Sequence, residues 1–237
     1  MTLYNSIGQG YNHTRQPDPR IVERLITLLN LPLKTTIADV GAGTGNYSDA
    51  IASQGYSVIA IEPSAVMQAQ AQPHKKVKWI TAAAEQIPLA DNSVDGAIVM
   101  LALHHFQDIA ASIKEINRLV GKGRIVIFAF EQSKIPDFWL TEYFPYFIQD
   151  TLATFPSTQD IATQIRQITH KQVEVIPFLL PQDLSDRFAA AGWCQPEIYL
   201  DPEVRNGISS FSKMLPDELQ AGIHKSNHVR FVEAAKL

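Results

Sequence analysis

The run Ile37-Ala-Asp-Val-Gly-Ala-Gly-Thr-Gly-Asn46, followed further on by Glu62-Pro63-Ser64, decides the fold. It reads as a strand that breaks at Gly41 into a turn and resumes as a helix at Asn46. Gly41 and Gly43, with Ala42 between them, let the backbone turn sharply and approach a bound molecule where a Cβ would collide. The helix that follows can turn its free N–H groups toward that molecule. Glu62 ends the next strand, where its carboxylate can accept hydrogen bonds from a ribose diol. Together these features make a cradle for a nucleoside. Dinucleotide enzymes use the same logic with G-x-G-x-x-G and an acid about 20 residues on. Here the glycines fall at 41, 43 and 45, position 46 is Asn, and Asp39 stands on the strand two residues before the first glycine.

Outward from that stretch, short β-branched or aliphatic runs alternate with helical patterns. Strands are expected at 36–40, 57–61, 77–80, 94–100 and 123–129, with helices at 46–54, 64–71 and 107–119. The alternation predicts an α/β fold with a parallel, doubly wound sheet. Ser64 is placed to cap the helix after Glu62, and Gly55 and Gly121 sit where helices should stop. Ahead of the first strand, residues 19–31 carry Ile21, Val22, Leu25, Ile26, Leu28 and Leu29 in the pattern of a helix packed on a sheet. For the closing strands, 173–176 after a helix at 158–169 would be the sixth, and 228–232 an antiparallel seventh. A rival assignment puts a helix at 182–191 and a strand at 197–200; the first is preferred.

At 237 residues and 46% hydrophobic content the chain can bury a full core, and a single α/β unit with an insertion is expected. The formal charge is −4, and the basic residues cluster only in the short stretch 74–78, so no footprint for duplex nucleic acid is expected. Cys194 is the only cysteine, which excludes an internal disulfide and a cysteine-rich zinc site. The N-terminal residues lack the basic and apolar regions of a signal peptide. The apolar runs fall short of the ~20 residues that span a bilayer, so a soluble, cytoplasmic protein without a membrane span is expected.

The cradle, with Ala83-Ala-Glu-Gln-Ile-Pro-Leu-Ala-Asp-Asn-Ser-Val-Asp95 and Leu103-His-His-Phe106 downstream in order, resembles the class I S-adenosylmethionine (SAM)-dependent methyltransferases. The likeness is to methyltransferase type 11, the group typified by the ubiquinone and menaquinone methyltransferases. It covers residues 37–130 well and the N-terminal segment weakly. The resemblance implies a Rossmann-like, mostly parallel sheet of seven strands, with SAM as cofactor and S-adenosylhomocysteine (SAH) as product. No metal is implied.

On that likeness Glu62 takes the ribose, Pro63 and Met67 flank the adenine, and Asp39 steadies the loop or contacts the methionine part. Asp39 also reads as a turn brace, and Met67 as core. Many relatives carry Gly-Asp-Ala-Glu where this chain has Ala82-Ala83-Ala84-Glu85, so the adenine amino contact passes to a backbone carbonyl, with the Ala84 amide facing the ring. Glu85 is a further polar candidate or a cap on the turn before Pro88. Leu101, after the fourth strand, would lie under the methionine part. The N-terminal segment 1–18 would cover the cofactor, with Tyr4 and Tyr11 closing the site and Arg15 near the methionine carboxylate; the i, i+4 spacing puts Tyr11 and Arg15 on one helical face.

Methyl transfer chiefly requires alignment and exclusion of water, so a catalytic residue is optional. His104 and His105 follow the fourth strand, and an imidazole of near-neutral pKa suits a general base; His105 is preferred, and each also reads as a packed or helix-initiating residue. From about 131 to 170 the composition shifts. Seven of the chain's 21 aromatic residues fall between Phe138 and Phe155, and no Lys or Arg occurs from 135 to 165. This insertion reads as an aromatic helical lid over the acceptor, a small satellite core, or both. Its acids, Asp137, Glu142, Asp150 and Asp160, suit a neutral apolar or cationic small-molecule acceptor, methylated at O, N or C. The alternatives are an NAD(P)-dependent oxidoreductase on the same fold and a SAM-binding protein without catalysis. The oligomeric state is not legible.

Overall fold

Strand β1 (Thr36–Val40) buries Ile37, Ala38, Asp39 and Val40 almost completely, which an open parallel sheet allows only when helices cover both of its faces. The computed structural model, which describes residues 11–227, shows that arrangement. Four more strands, β2 (Ser57–Ile61), β3 (Val77–Ile80), β4 (Gly96–Met100) and β5 (Arg124–Phe128), complete a sheet ordered β3-β2-β1-β4-β5. Every pairing is parallel, and Asp39 lies in register between Ala60 of β2 and Ile98 of β4.

The pleat sends alternate residues of β1 into different layers. Ile37 joins Ile21, Leu25 and Leu29 of α2 (Pro19–Leu29) and Ile51 of α3 (Asn46–Ser53). Ala38 and Val40 join Ile116 and Leu119 of α5 (Ile109–Val120) and Ile161 of α8 (Thr158–Thr169) on the other side. The chain leaves β1 toward one half of the sheet and β4 toward the other, so a crevice opens beyond their C-terminal ends.

Local chemistry sets the boundaries. Asp18 caps α2 by accepting from the Arg20 amide at 3.0 Å, with Pro19 at the first position. Ser64 accepts from the Met67 amide to start α4 (Ala65–Gln68), which is shorter than the expected 64–71. Gly45 opens α3 with φ +81°, and a Cβ there would stand 2.5 Å from the Trp79 ring, so glycine is required on both counts. α1 (Tyr11–Thr14) ends before Arg15, so the expected shared helical face of Tyr11 and Arg15 does not form. Tyr4 and the Tyr11 side chain lie outside the described residues.

Among the described residues the sheet has five strands, and the closing assignments are corrected. At 173–176 the chain is irregular; Pro177 and Pro181 flank a run whose attachment comes from side chains. Lys171 Nζ donates to the Gly123 carbonyl at 3.1 Å, and Phe178 meets Phe128 edge-on. The rival fails as well. Residues 182–191 form turns, because Asp183, Ser185 and Asp186 are tied to Arg20, Asp18 and Arg15; 197–200 lies in a 3-10 turn, Pro196–Leu200. The expected strand at 228–232 lies outside the described residues.

After β5 the chain is helical, through a 3-10 segment Gln132–Asp137, α6 (Leu140–Tyr143), α7 (Tyr146–Thr154) and α8. Phe138, Tyr143, Phe144 and Phe147 form a third cluster with Tyr199, with Val204 of α9 (Pro202–Asn206) and with Phe211 of α10 (Ser209–Lys213). The aromatic run is therefore a satellite core. The chain closes on α11 (Pro216–Asn227).

Asp18 joins helix start to distant loop: its Oδ2 accepts from the Ser185 amide at 3.1 Å and from Arg20 at 2.7 Å. The Arg20 guanidinium, before the burial that opposes it, holds this carboxyl well below its ordinary range. Asp18→Ala should therefore lower stability by about 1–3 kcal/mol in chemical denaturation at pH 7. A depressed carboxyl stabilises fully above its unfolded pKa and ceases to do so as pH falls through the folded one, so the difference should shrink below about pH 4.

Candidate active site

A cavity of about 450 Å³ fills the crevice beyond β1 and β4, and it runs from the glycine turn to the aromatic cluster. Of the residues singled out from sequence, Arg15, Asp39, Gly41, Ala42, Gly43, Glu62, Pro63, Met67, Ala84, Glu85, Leu101, His104 and His105 all line it.

At one end two backbone turns meet on Glu62. Its Oε2 accepts from the Gly43 amide at 3.0 Å and its Oε1 from the Ser64 amide at 2.9 Å. Burial raises its pKa and these two amides oppose the rise. The Gly41 and Ala42 amides both donate to the Ile61 carbonyl, so the amides of Gly41, Ala42 and Gly43 tie the turn after β1 to the end of β2. Each Glu62 oxygen can still accept a further bond from a diol.

Asp39 is buried, and its Oδ2 accepts from Ser48 Oγ at 2.6 Å. Its Oδ1 is buried with no partner. Burial, opposed by the Ser48 bond, lifts this carboxyl to about 6, with the Glu62 charge adding to the rise. An unsatisfied acceptor on the wall of a cavity that also holds Glu62 and the glycine turn fits a ligand carrying an ammonium beside a ribose, as SAM does. Asp39 thus braces the turn through Ser48 and leaves its other oxygen without a partner.

Arg15 is held by Asp186, with Nε to Oδ1 at 2.5 Å, and the Tyr47 hydroxyl donates to the same carboxylate at 3.0 Å. Asn46 donates to Asn12 Oδ1 at 3.0 Å and to the Arg15 carbonyl, so the start of α3 carries the N-terminal strip. Met67 is both buried core and cavity wall. Glu85 accepts from the Gln107 amide at 2.8 Å and the Asp108 amide at 3.2 Å, and so braces the loop after β4. Leu101 has φ +50°, a left-handed conformation that costs a non-glycine residue of order 1 kcal/mol, and its amide donates to Phe128.

His104 and His105 lie in the 3-10 turn Leu103–His105. The His104 ring stacks on Phe155, with centroids 4.0 Å apart, and lies tilted by 49° against the His105 ring at 3.7 Å. Burial, and then the neighbouring His105, Lys213 and Arg15, hold His104 far below the ordinary imidazole value. His105, more open to solvent, is lowered by desolvation and by Lys213. Both shifts run below the near-neutral imidazole expected from sequence and favour the uncharged rings, most strongly at the more enclosed His104.

Part of the lining comes from residues that sequence reading did not single out: Phe130 just after β5, Phe147 and Thr151 of the insertion, and Phe188 and Ser210 of the C-terminal third. One of the insertion's acids, Asp150, is also compensated, because Lys213 of α10 pairs with it at 2.7 Å. No local pattern marks these residues; the aromatic bias of 138–155 was the only signal.

The model of the methyltransferase domain matches residues 38–128. A ubiquinone/menaquinone biosynthesis C-methyltransferase of Rubrivivax gelatinosus is 33% identical over 114 residues, 47% of this chain and 44% of that protein. The aligned part thus spans less than half of that relative. A demethylmenaquinone methyltransferase of Corynebacterium urealyticum is 24% identical over 191 residues, 70% of this chain and 82% of that protein. Among solved structures, a protein of Anabaena variabilis named as a methyltransferase from an antibiotic biosynthesis pathway superposes with a TM-score of 0.87. It is 47% identical, and the match covers 90% of this chain and 86% of that one.

The Ser48 hydroxyl is the one side-chain donor holding Asp39 in its charged form. Ser48→Ala should raise the Asp39 titration above about 6, read by carboxyl carbon NMR. An unchanged midpoint would show that the hydrogen bond does not govern this charge.

Proposed function

We propose that this chain, which belongs to the class I SAM-dependent methyltransferases, moves a methyl group from SAM to O, N or C of a small organic acceptor and releases SAH. The observation that carries this is one cavity lined by Glu62, the glycine turn and Asp39, whose buried Oδ1 has no partner, and also by aromatic rings. Bound SAM supplies a methyl already activated by sulfonium. Glu62 holds the ribose diol, Asp39 the methionine ammonium, and Pro63, Met67, Ala84 and Glu85 border the adenine. Gly41, Ala42, Gly43 and Leu101 shape the floor, and Arg15 with Tyr11 closes the methionine side. The relatives named above are methyltransferases, and nothing in them points to the oxidoreductase reading.

The whole chain, 1–237, then acts as one methyltransferase domain, with 1–18 covering the cofactor and 131–170 serving as the lid. The low electrostatic footprint supports a small molecule over nucleic acid. No helix among the described residues is long and apolar enough to cross a membrane, which supports the cytoplasmic assignment without carrying it. Alignment and exclusion of water supply most of the rate. His105, uncharged at the mouth beside the aromatic wall, is the proton acceptor where the nucleophile must lose one.

Calorimetry with SAM, SAH and NAD tests the cofactor: SAM and SAH should bind and NAD should not. Glu62→Ala should weaken SAM by about 2–3 kcal/mol, as loss of a charge-assisted pair of hydrogen bonds does. Full affinity in a folded variant would remove the ribose assignment.

His105→Ala should leave SAM affinity nearly intact while lowering turnover by ~10²–10⁴. Because its pKa is lowered, the imidazole stays neutral well into acid, and the acid limb of turnover should lie below the ordinary imidazole range. His104→Ala controls for packing, and parental rates in both variants would leave alignment as the sole source of catalysis.

A further inference from the structure

Asp150 is buried on α7, and both of its oxygens are taken. Lys213 Nζ lies 2.7 Å from Oδ1, and Ser210 Oγ donates to Oδ2 at 2.6 Å. The other acids of the insertion, Asp137, Glu142 and Asp160, are exposed, and neither they nor Asp150 and Lys213 line the cavity itself. Arg15 is matched by Asp186 in the same way. The aromatic half of the cavity therefore presents paired charges and uncharged imidazoles, with no counter-ion for a charged guest.

A polar group on that wall can take part. Thr151 lines the cavity, and its hydroxyl makes no hydrogen bond to another described residue. The same cavity is lined by Phe130, Phe138, Phe147 and Phe155. The Thr151 oxygen is not sealed from solvent, so a guest's polar group can replace the water that reaches it.

We propose that this half of the cavity is an acceptor subsite for an uncharged molecule, whose apolar body lies among these rings and whose hydroxyl or carbonyl group hydrogen-bonds Thr151. The inference rests on the methyl-transfer reading of the adjoining half. It narrows the acceptor class, because the Asp150–Lys213 pair removes the negative field that would favour a cation.

The test titrates 2-naphthol, 2-naphthoate and 2-naphthylmethylammonium into the full chain, with and without saturating SAH, and follows binding by calorimetry. 2-Naphthol should bind at least about 10-fold more tightly than either ion, which must desolvate its charge unpaired. Thr151→Val should weaken 2-naphthol by about 2–10-fold and leave SAH affinity unchanged. Lys213→Met, which strips Asp150 of its partner, should shift preference toward the ammonium probe; Thr151→Val stands alone if that variant does not fold. An ion binding as well as 2-naphthol, or unaltered 2-naphthol affinity in Thr151→Val, overturns the subsite. Failure of SAH to bind the unmodified chain overturns the methyl-transfer reading instead, and the titrations without SAH keep the two failures distinct.

Discussion

The carboxylate of Glu62 holds together two turns that belong to different strands. By accepting from Gly43 after β1 and from Ser64 after β2, it fixes the mouth of the crevice before any ligand arrives. Both amides are short-range donors to a charge that burial disfavours, so the arrangement is rigid only as a unit. The floor of the cavity, the start of α3 and the cap of α4 all inherit their positions from it. The cofactor end is therefore preorganised by bonds between the turn after β1 and the end of β2, and a ligand adds to acceptors that are already in place.

The five central strands were legible because their information is local. Aliphatic runs of the right length, a glycine break after β1 and a cap at Ser64 each act within a few residues, and the observed strands fall within two residues of expectation. After Phe128 the same local reasoning found the helix at 158–169 but failed for the closing strands. At 173–176 the apolar run looks like a strand, yet a proline follows it and side chains of Lys171 and Phe178 attach it to β5. At 182–191 the helical pattern is real, but Asp183, Ser185 and Asp186 are each drawn to partners more than a hundred residues away, and a regular helix cannot satisfy all three.

The site divides along the same line. Asp39, Glu62 and the glycines could be named from spacing, since a strand end and a turn determine where they point. Thr151 and Ser210 could not, because what brings them to the cavity is the packing of Phe147 and Phe144 against Phe211, a contact between the insertion and the C-terminal helices. The pairing of Asp150 was not legible for the same reason: it looks unaccompanied in its own segment, and its partner stands 63 residues later.

The contact between Gly45 and Trp79 gives the protein an optical address for its cofactor loop. The Trp79 indole lies against the residue that opens α3, whereas Trp139 and Trp193 sit together in the aromatic layer, where Trp139 donates to the Trp193 carbonyl. The three indoles thus divide between the glycine turn and the aromatic cluster, behind the residues that line the cavity. Emission from a chain keeping only Trp79 would follow the nucleoside side, and emission from the other two would follow the acceptor side, so the order in which the two halves fill can be watched without adding a label.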